Sequence, residues 1–358
     1  MGNQLVTGNR FRPAAFQVVV TAVEHFTRGR KLGDVTGHGV LNQLVGRISG
    51  FDDELVDLGL QVGGEMYFHA LQGTRKPAWT QHSGEAPENP PLWSLPSAEP
   101  GRYNQILTKY IRFQTASGAA YGILEGEAVH EIRGDLFGSQ ERSGATFGLD
   151  QVKLLYPCEP SKILAVGRNY KSHLGDRQAP ERPEMFYKPV SALQHPGAPI
   201  VIPEGAANVH FEGEMVIVIG RRVWHASADE ARAAIFGVTC GNDVSDRDWQ
   251  NGPRKDLQWW RAKGADTFAP LGPAIATGLD YGSLMLDTRL NGEVVQRQST
   301  ADLTFDCAAI VSWVSRWVTL LAGDVIYTGT PGSTRAMQPG DVVEVEIEGI
   351  GVLRNPVA

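Results

Sequence analysis

Short runs of apolar residues recur along the second half of the chain, and most of them end at a glycine or a proline. Runs of this length that are rich in Val and Ile favour strands. We therefore predict strands at 162–167, 214–220, 324–329 and 341–347. Between two further apolar segments, Asn291-Gly292 predicts a tight hairpin turn, because both residue types tolerate positive φ angles. The pattern indicates a β-rich α+β fold.

Two helices are predicted among these strands. The first begins at Ser227, where Ser227 and Glu230 have the spacing of a capping box, and we expect it to end at Gly237. The second covers residues 306–320, where apolar side chains recur on one face, with Ile310 and Val314 on the same stripe as two tryptophans. We expect both tryptophans, Trp313 and Trp317, to belong to the core.

The first hundred residues have a different texture. A helical pattern is present at 14–27, but no period persists beyond it, and the segment 87–100 contains five prolines and predicts an extended linker. We leave 1–106 unassigned as a poorly ordered extension that is dispensable for function; an over-extended gene start and a genuine disordered extension would both produce this pattern. A small N-terminal β region is predicted at 107–160, and the main domain at 161–358.

Composition narrows the class of protein. The chain has 358 residues, is 42% hydrophobic and carries a net charge of −7, which argues against a nucleic-acid-binding protein. No apolar stretch reaches the roughly 18 residues that a membrane-spanning helix needs, and the N-terminus lacks a secretory signal pattern. Cys158, Cys240 and Cys307 are widely spaced and form no CxxC motif, so we predict buried reduced thiols in a cytoplasmic protein.

A pair of carboxylates stands at the start of the predicted strand 214–220. Glu212 and Glu214 flank Gly213, and side chains two residues apart on a strand point to the same side. Two unpartnered carboxylates would repel each other and would be costly to desolvate, whereas Mg²⁺, Mn²⁺ or Ca²⁺ between them removes both problems. A solvated strand end is the alternative reading of this triplet.

The same triplet, EGE, occurs again at 125–127, between the two halves of a predicted hairpin that covers 120–132. Here Gly126 supplies the backbone freedom of the turn. Carboxylates at the tip of a hairpin are usually solvated, so we predict that Glu125 and Glu127 are surface residues without a metal.

A second acidic cluster follows a short apolar strand. Asp243, Asp246 and Asp248 lie within the segment 238–250, and an aspartate at a strand end beside Glu212 and Glu214 would complete a three-carboxylate site. Zinc is disfavoured because the chain has neither a CxxC nor an HExxH motif. Taken alone, the aspartate run is also compatible with a polar turn.

A third cluster occupies the loop after the strand 162–167. This loop exposes Arg168, Tyr170, His173 and Asp176, of which the first two are candidate substrate contacts. A histidine with a carboxylate three residues later is a candidate general base, because the acid can orient the ring and stabilise its cation. A hydrogen-bonded surface histidine is the alternative.

These clusters belong to a longer pattern. The chain resembles the fumarylacetoacetate hydrolase superfamily in the order of eight blocks, which are GRNYKSH, MFYKPVSAL, FEGEMVIVIG, GNDVSDRDWQ, RAKGADTFAPLGP, LNGE, AGDVIYTGTPG and PGDVVEVEIEGIG. The resemblance covers about 162–357, and the strands at 109–157 resemble the small N-terminal region of bacterial members. It implies a distorted β-roll or sandwich, assembled as a homodimer.

The resemblance also implies residue roles. Three positions match the carboxylate ligands of a Mg²⁺ or Mn²⁺ ion: Glu212, Glu214 and Asp243. His173 matches the histidine that activates water, and Asp176 stands where many members have a glutamate, which is one methylene longer. Lys263 matches the lysine that steadies negative charge on the substrate, and Gln250 matches a residue that helps to form an oxyanion site. Further substrate-site positions are Lys188, Arg247 and Thr330.

The function implied is metal-dependent chemistry on a small diketo or oxo acid. We expect first a hydrolase that cleaves a C–C bond in an acylpyruvate or a fumarylpyruvate-type diketo acid. An isomerase or decarboxylase of 2-hydroxy-diene or oxo diacids from aromatic catabolism, such as 2-hydroxyhepta-2,4-diene-1,7-dioate, is the alternative, and hydrolysis of diketo-deoxy sugar acids also fits. A non-catalytic metal-binding scaffold would require one of the matched residues to be missing, and all are present.

Overall fold

The computed structural model describes residues 106–358 and, before them, the backbone of three strands. Strands dominate residues 106–358. Those earlier strands are β1 (Leu5–Thr7), β2 (Val56–Val62) and β3 (Glu65–Leu71), and they form an antiparallel sheet in the order β1-β2-β3. The chain divides into two units, Met1–Glu99 and Pro100–Ala358. The helix predicted at 14–27 and the linker predicted at 87–100 lie outside the described residues.

The second unit contains strands β4 to β21 and five short helices. The strands are β4 (Thr108–Thr115), β5 (Gly118–Glu125), β6 (Ala128–Gly134), β7 (Gln140–Gly148), β8 (Lys153–Leu155), β9 (Ile163–Gly167), β10 (Glu184–Lys188), β11 (Leu193–Gln194), β12 (Val209–His210), β13 (Gly213–Ile219), β14 (Ile235–Asn242), β15 (Ser245–Asp246), β16 (Ala269–Thr277), β17 (Met285–Leu290), β18 (Glu293–Ser299), β19 (Val325–Tyr327), β20 (Val342–Ile347) and β21 (Gly351–Pro356). The helices are α1 (Lys171–Leu174), α2 (Ala228–Arg232), α3 (Arg247–Asn251), α4 (Trp260–Gly264) and α5 (Cys307–Ser315). Within the described residues, no helix is long and apolar enough to span a bilayer.

One large mixed sheet organises this unit. Its strand order is β10-β9-β19-β13-β14-β16-β4-β5-β6-β7, with β11 paired to β16 and β8 paired to β4. Most neighbours are antiparallel, but β19 runs parallel to β9. A second sheet has the order β18-β17-β20-β21, and β12 and β15 form a separate ribbon. The predicted β-rich α+β fold is confirmed.

The central strand β13 is buried on both faces, which explains the uninterrupted apolar run from Met215 to Ile219. Met215, Ile217 and Ile219 belong to one core cluster, which includes apolar residues of β20 and α5. Val216 and Val218 point the other way and belong to a second cluster with residues of β9 and β16. β14 pairs with the whole of β13, whereas β19 pairs only with Val216–Val218. The start of β13 is therefore held by β14 on one side and by the residues that follow β19 on the other, since the amide of Thr328 donates to the carbonyl of Met215 at 3.1 Å.

The N-terminal hairpin follows the prediction. β5 and β6 pair antiparallel and are joined at Gly126, whose φ of 59° is the left-handed conformation that glycine accommodates. Glu125 and Glu127 are exposed, as expected for a hairpin tip. Glu125 forms an ion pair with Arg142 on β7. The predicted turn at Asn291-Gly292 is also present, since it joins β17 to β18 with positive φ at both residues.

The two predicted helices are shorter in the structure. The capping box of Ser227 and Glu230 is formed, but α2 ends at Arg232, and Gly237 lies inside β14. A Cβ atom at Gly237 would stand 2.5 Å from the carbonyl oxygen of Ala276 on the neighbouring strand, so the glycine permits close strand packing and does not cap a helix. Likewise α5 ends at Ser315, and Trp317 beyond it is 73% exposed, so its expected core position was wrong. The three cysteines are free and buried, as predicted.

Candidate metal centre and active site

Three buried carboxylates meet where β13 and β14 end their pairing. Glu214 lies on β13, Glu212 precedes that strand, and Asp243 directly follows β14. The antiparallel pairing of β13 with β14 continues one residue beyond the strands, where the amide of Asp243 donates to the carbonyl of Glu212 at 2.9 Å. One ligand oxygen from each carboxylate lies within 4.8 Å of the other two. The structure thus brings together the three side chains predicted to hold a metal.

Gly213 allows the two glutamates to share one face. A Cβ atom at this position would lie 2.0 Å from Oγ1 of Thr288, so only glycine fits between Glu212 and Glu214. The backbone of Gly213 is also fully used, because its N–H donates to Gln296 Oε1 at 3.2 Å and its carbonyl accepts from Thr330 at 2.9 Å. The triplet at 212–214 is therefore a packed and hydrogen-bonded element, unlike the open turn at 125–127.

Three cationic side chains surround the carboxylates. Nζ of Lys263, on α4, donates to Glu212 Oε2 and to Asp243 Oδ2, both at 2.6 Å. Nζ of Lys188, at the end of β10, donates to Asp243 Oδ1 at 2.5 Å. Arg247, on α3, donates to Glu212 Oε1. Glu212 and Asp243 are therefore both paired with protein cations.

The pKa values of these groups reflect a balance between burial and charge. Burial alone would raise the pKa of Glu212, but the charges of Lys263 and Arg247 outweigh it and hold that pKa below its usual value. Burial would lower the pKa of Lys263, but the two carboxylates Asp243 and Glu212 outweigh it and raise that pKa. Lys188 has a lowered pKa because its complete burial dominates over the attraction of Asp243.

Glu214 stands apart from the other two carboxylates. Its Oε2 accepts a hydrogen bond of 2.7 Å from the amide of Gly329, and no lysine or arginine of the described residues forms an ion pair with it. Burial raises its pKa well above the usual value, and the charges of Asp243 and Glu212 raise it further. A buried carboxylate with this environment is stabilised by a cation. The oxygen donor set fits a hard divalent ion, which these three residues would hold.

Arg247 also orients the predicted oxyanion residue. Its Nη1 donates to Gln250 Oε1 at 2.7 Å, which leaves the amide nitrogen of Gln250 as a donor directed elsewhere. Its Nη2 donates to Thr334 Oγ1 at 2.9 Å as well as to Glu212. The guanidinium of Arg247 therefore connects Glu212, a candidate metal ligand, to Gln250, a potential hydrogen-bond donor for a substrate.

His173 is presented by α1 but is not paired with Asp176. The ring Nδ1 of His173 donates to the carbonyl oxygen of Gly332, so Nε2 is the ring nitrogen left to accept a proton. Among the described residues, no hydrogen bond or ion pair joins His173 to Asp176, whose side chain is exposed. The helix ends at Leu174, and Gly175 turns the chain away with a φ of 57°, so the spacing of three residues does not bring the two side chains together. The predicted dyad is not formed.

Two predicted substrate contacts have other surroundings in the structure. Tyr170 was expected on an exposed loop, but it is 0% exposed and packs in the main core cluster. Lys188 is 2% exposed, and its ammonium donates to Asp243, to the carbonyl of Lys263 and to the carbonyl of Val244. Because those three acceptors use all three of its N–H groups, the ammonium of Lys188 supports the candidate ligand Asp243 and has no N–H group left for a substrate.

The other predicted substrate residues differ in accessibility. Arg168 is exposed and adopts a φ of 55° directly after β9. The hydroxyl of Thr330 donates to Gly213 and accepts from Gln296 at 2.9 Å, so it is bonded within the protein. A substrate contact by either residue stays a prediction.

Sequence reasoning missed three residues that hold the site. Gly329 donates to Glu214, Gln296 bonds to Gly213 and Thr330, and Asn169 bonds to Thr328. Gly329 lies in the TGTPG block, which was singled out only for Thr330. The amides of Asn169 and Gln296 carry no local pattern that would mark them, because their partners lie far away in the sequence.

The sequence profile described as "Fumarylacetoacetate (FAA) hydrolase C-terminal" matches residues 162–358, which include every residue of the site. The chain belongs to the fumarylacetoacetate hydrolase family. A second profile, "Rv2993c-like, N-terminal", matches residues 108–157. The family resemblance read from the eight sequence blocks is thereby confirmed.

The chain is similar in sequence and structure to several named proteins. The chain is 43% identical over 258 residues to Protein Rv2993c of Mycobacterium tuberculosis, covering 69% of this chain and 96% of that protein. It is 39% identical over 220 residues to the mitochondrial oxaloacetate tautomerase FAHD2A of Bos taurus, covering 58% of this chain and 70% of that one. The crystal structure of 5-carboxymethyl-2-hydroxymuconate delta-isomerase from Mycobacterium smegmatis superposes with a TM-score of 0.66 at 45% identity, covering 70% and 99% of the two chains. Members of the family are enzymes and include hydrolases, isomerases and tautomerases.

Proposed function

We propose that this protein is a divalent-metal-dependent isomerase or tautomerase of 2-oxo diacids. In such a reaction a proton leaves the carbon beside the keto group and negative charge develops on the substrate oxygens. A tautomerase then delivers a proton to the enolate oxygen, and an isomerase delivers it to another carbon. The protein must therefore bind an anionic substrate, stabilise the enolate and move one proton.

Glu212, Glu214 and Asp243 would hold the metal. A divalent ion bound there supplies Lewis-acid stabilisation of negative charge on the substrate oxygens. Among the described residues, the three cations Lys188, Lys263 and Arg247 pair with Glu212 and Asp243 and none pairs with Glu214, so the site holds three carboxylates and three cations. The charge of the ion is therefore left in excess, which favours a dianionic substrate.

Lys263 and Gln250 supply preorganised stabilisation beside the metal ligands. The ammonium of Lys263 is already fixed by Glu212 and Asp243, so it needs little reorganisation when charge develops nearby. Gln250 is turned by Arg247 so that its amide N–H groups are free to donate. His173 contributes a proton acceptor at Nε2, because Nδ1 donates to Gly332.

The observation that carries this proposal is the separation of His173 from Asp176. A C–C hydrolase that activates water with a His–carboxylate dyad needs the acid beside the ring, whereas proton transfer to and from a substrate carbon needs only the accepting nitrogen. The names of the tautomerase and isomerase relatives at 39% and 45% identity support the same choice.

Hydrolysis of an acylpyruvate or fumarylpyruvate-type acid is the second candidate. It is favoured by one observation, the hydrogen bond from His173 Nδ1 to Gly332, because the free Nε2 could also take a proton from water. Both reactions use the same carboxylates and Lys263. The homodimer implied by the resemblance stays a prediction, which light scattering of the purified protein would test.

Product analysis separates the two candidates. The protein is supplied with oxaloacetate, with a 2-hydroxy-diene diacid and with an acylpyruvate, each with Mg²⁺ or with a chelator, and the products are identified by NMR. We expect metal-dependent isomerisation or tautomerisation of the diacids with all carbon atoms retained. Release of two smaller acids from the acylpyruvate as the only reaction would select the hydrolase.

A further inference from the structure

A buried asparagine outside the metal ligands connects three segments of the chain. Asn169 is 0% exposed, and its amide Nδ2 donates to the carbonyl of Thr328 at 2.8 Å and to that of Phe305 at 3.1 Å. Its Oδ1 accepts from the amide of Phe305 at 2.8 Å, and its own carbonyl accepts from Thr304 at 2.6 Å. Both donors and the acceptor of this side chain are therefore used in directed bonds to backbone groups.

The segment that Asn169 holds, residues 328–332, contacts the site at both of its ends. At one end, the amide of Gly329 donates to Glu214, the carboxylate that has no cationic partner among the described residues. At the other end, the carbonyl of Gly332 accepts from His173. The metal ligand and the proton acceptor are thus both hydrogen-bonded to one five-residue loop, which we call the 328–332 loop.

Close packing fixes this loop against Asn169. Gly329 has a φ of 101°, and a Cβ atom there would lie 3.0 Å from Cβ of Asn169. On its other side the loop is bonded to β13, since Thr328 donates to the carbonyl of Met215 and Thr330 donates to that of Gly213. Asn169 therefore holds the Thr328–Gly329 end of the loop from a segment other than the metal-bearing strand, while Gln296 donates to Thr330 and to the carbonyl of Pro331 further along.

We propose that Asn169 is a positioning residue that holds the 328–332 loop between Glu214 and His173, so that metal affinity and proton transfer both depend on it. This inference rests on the proposed function, because it concerns two groups that carry that reaction. Groups that orient a metal ligand commonly change metal affinity or activity by about 10–100-fold when they are lost.

Two substitutions test the proposal. Asn169→Asp keeps the size of the side chain but places a carboxylate oxygen against the carbonyls of Thr328 and Phe305, so the two donated bonds are lost. Asn169→Ser removes the same two bonds without adding a charge that could itself attract a metal, and it carries the test if the aspartate variant does not fold. We expect the Kd for Mn²⁺, measured by calorimetry, to rise by about 10–100-fold in both variants, and kcat at saturating metal to fall by tenfold or more in the same assays.

Asn355→Asp is the matched control. Asn355 is also buried, at 2% exposure, and its Nδ2 likewise donates to two backbone carbonyls, those of His195 and Ala198, both at 2.8 Å. Neither partner belongs to the site. Its substitution should lower the melting temperature and leave the Kd for Mn²⁺ and kcat within about threefold of wild type.

The outcomes are distinct. The positioning role is overturned if folded Asn169 variants keep the wild-type Mn²⁺ affinity and kcat. It is also overturned if the Asn355→Asp control shifts both quantities as much as the Asn169 variants do. If the wild-type protein binds Mn²⁺ but converts no 2-oxo acid, the proposed function fails while the Mn²⁺ titrations still decide the role of Asn169.

Discussion

Nζ of Lys263 lies 2.6 Å from Oδ2 of Asp243, and both groups are almost completely removed from solvent. The same nitrogen is equally close to Glu212, so this lysine joins two of the three proposed metal ligands. Its charge therefore has two consequences. It stabilises the carboxylates when no metal is bound, and it adds to the positive charge that a substrate anion meets.

Replacing Lys263 with Met should separate metal binding from catalysis. The two carboxylates lose a counter-charge, so the affinity for Mn²⁺ should stay equal to that of wild type or become tighter. Loss of one preorganised charge should lower kcat by about 10²–10³-fold. Without metal, the free energy of unfolding should fall by about 3–5 kcal/mol, because a buried ion pair is broken from one side. Calorimetric titration, steady-state kinetics and denaturant unfolding measure the three quantities.

Lys162→Met is the control for that substitution. Lys162 forms an ion pair with the fully buried Asp324, away from the site. Its loss should reduce stability while Mn²⁺ affinity and kcat stay at the wild-type level. A Lys263 variant with normal kcat would contradict the assigned role in charge stabilisation.

The two EGE triplets should respond differently to the same substitution. Glu214→Gln removes the negative charge of one proposed metal ligand. We therefore expect calorimetric titrations to show no Mn²⁺ binding, while circular dichroism shows a folded protein. Replacing Glu125 and Glu127 with Gln should change the free energy of unfolding by no more than about 0.5 kcal/mol, since both side chains are exposed. An unchanged affinity for Mn²⁺ in Glu214→Gln would contradict the proposed metal site.

The central glycines of the two triplets, Gly213 and Gly126, should also respond differently to the same substitution by alanine. Gly213→Ala places a Cβ atom 2.0 Å from Thr288 Oγ1, so we expect a loss of metal affinity and a clear drop in melting temperature. The second substitution Thr288→Ala removes the clashing oxygen and should restore part of both. Gly126→Ala meets no atom within 4 Å and should cost only about 1–2 kcal/mol for its positive φ. Equal effects at both glycines would show that packing against Thr288 does not shape the site.

His173 and Asp176 should be unequal in their effect on the rate. His173→Ala removes the proton acceptor and should lower kcat by about 10²–10⁴-fold, the usual contribution of a general base. Asp176→Asn should leave kcat within about threefold of wild type, because the carboxylate does not contact the ring. Steady-state rates on oxaloacetate and on an acylpyruvate test both variants. A large loss of kcat on the acylpyruvate in Asp176→Asn would support the His173–Asp176 dyad and the hydrolase reaction.

Part of the proposed metal site could be predicted from the sequence because the pairing of Glu212 and Glu214 is local, whereas the family resemblance selected Asp243 from three nearby aspartates. Glu212 and Glu214 share a face through strand geometry, and Asp243 marks the end of the partner strand. The apolar runs likewise predicted the central strands, since β13 is buried on both faces. Local spacing failed for His173 and Asp176, because α1 ends before it can bring them together.

The remaining parts of the site depend on contacts between distant segments. Asn169 meets Thr328 across 159 residues, and Lys188 meets Asp243 across 55 residues. Nothing in the sequence around Lys188 or Tyr170 distinguishes a substrate contact from a buried support, because that difference is set by the elements packed around them. The exposed Trp317 shows the same limit, since the apolar stripe continues in sequence after the helix has ended.

The most direct test of the central claim follows the interconversion of enol and keto oxaloacetate by ultraviolet absorbance, with Mg²⁺ or with a chelator. The wild-type protein should accelerate the interconversion only with Mg²⁺, the Glu214→Gln variant should not accelerate it at any Mg²⁺ concentration, and the Glu125→Gln variant should behave as wild type. Full acceleration by Glu214→Gln, or cleavage of an acylpyruvate by a wild-type protein that leaves oxaloacetate unchanged, would contradict a metal-dependent tautomerase or isomerase at this site.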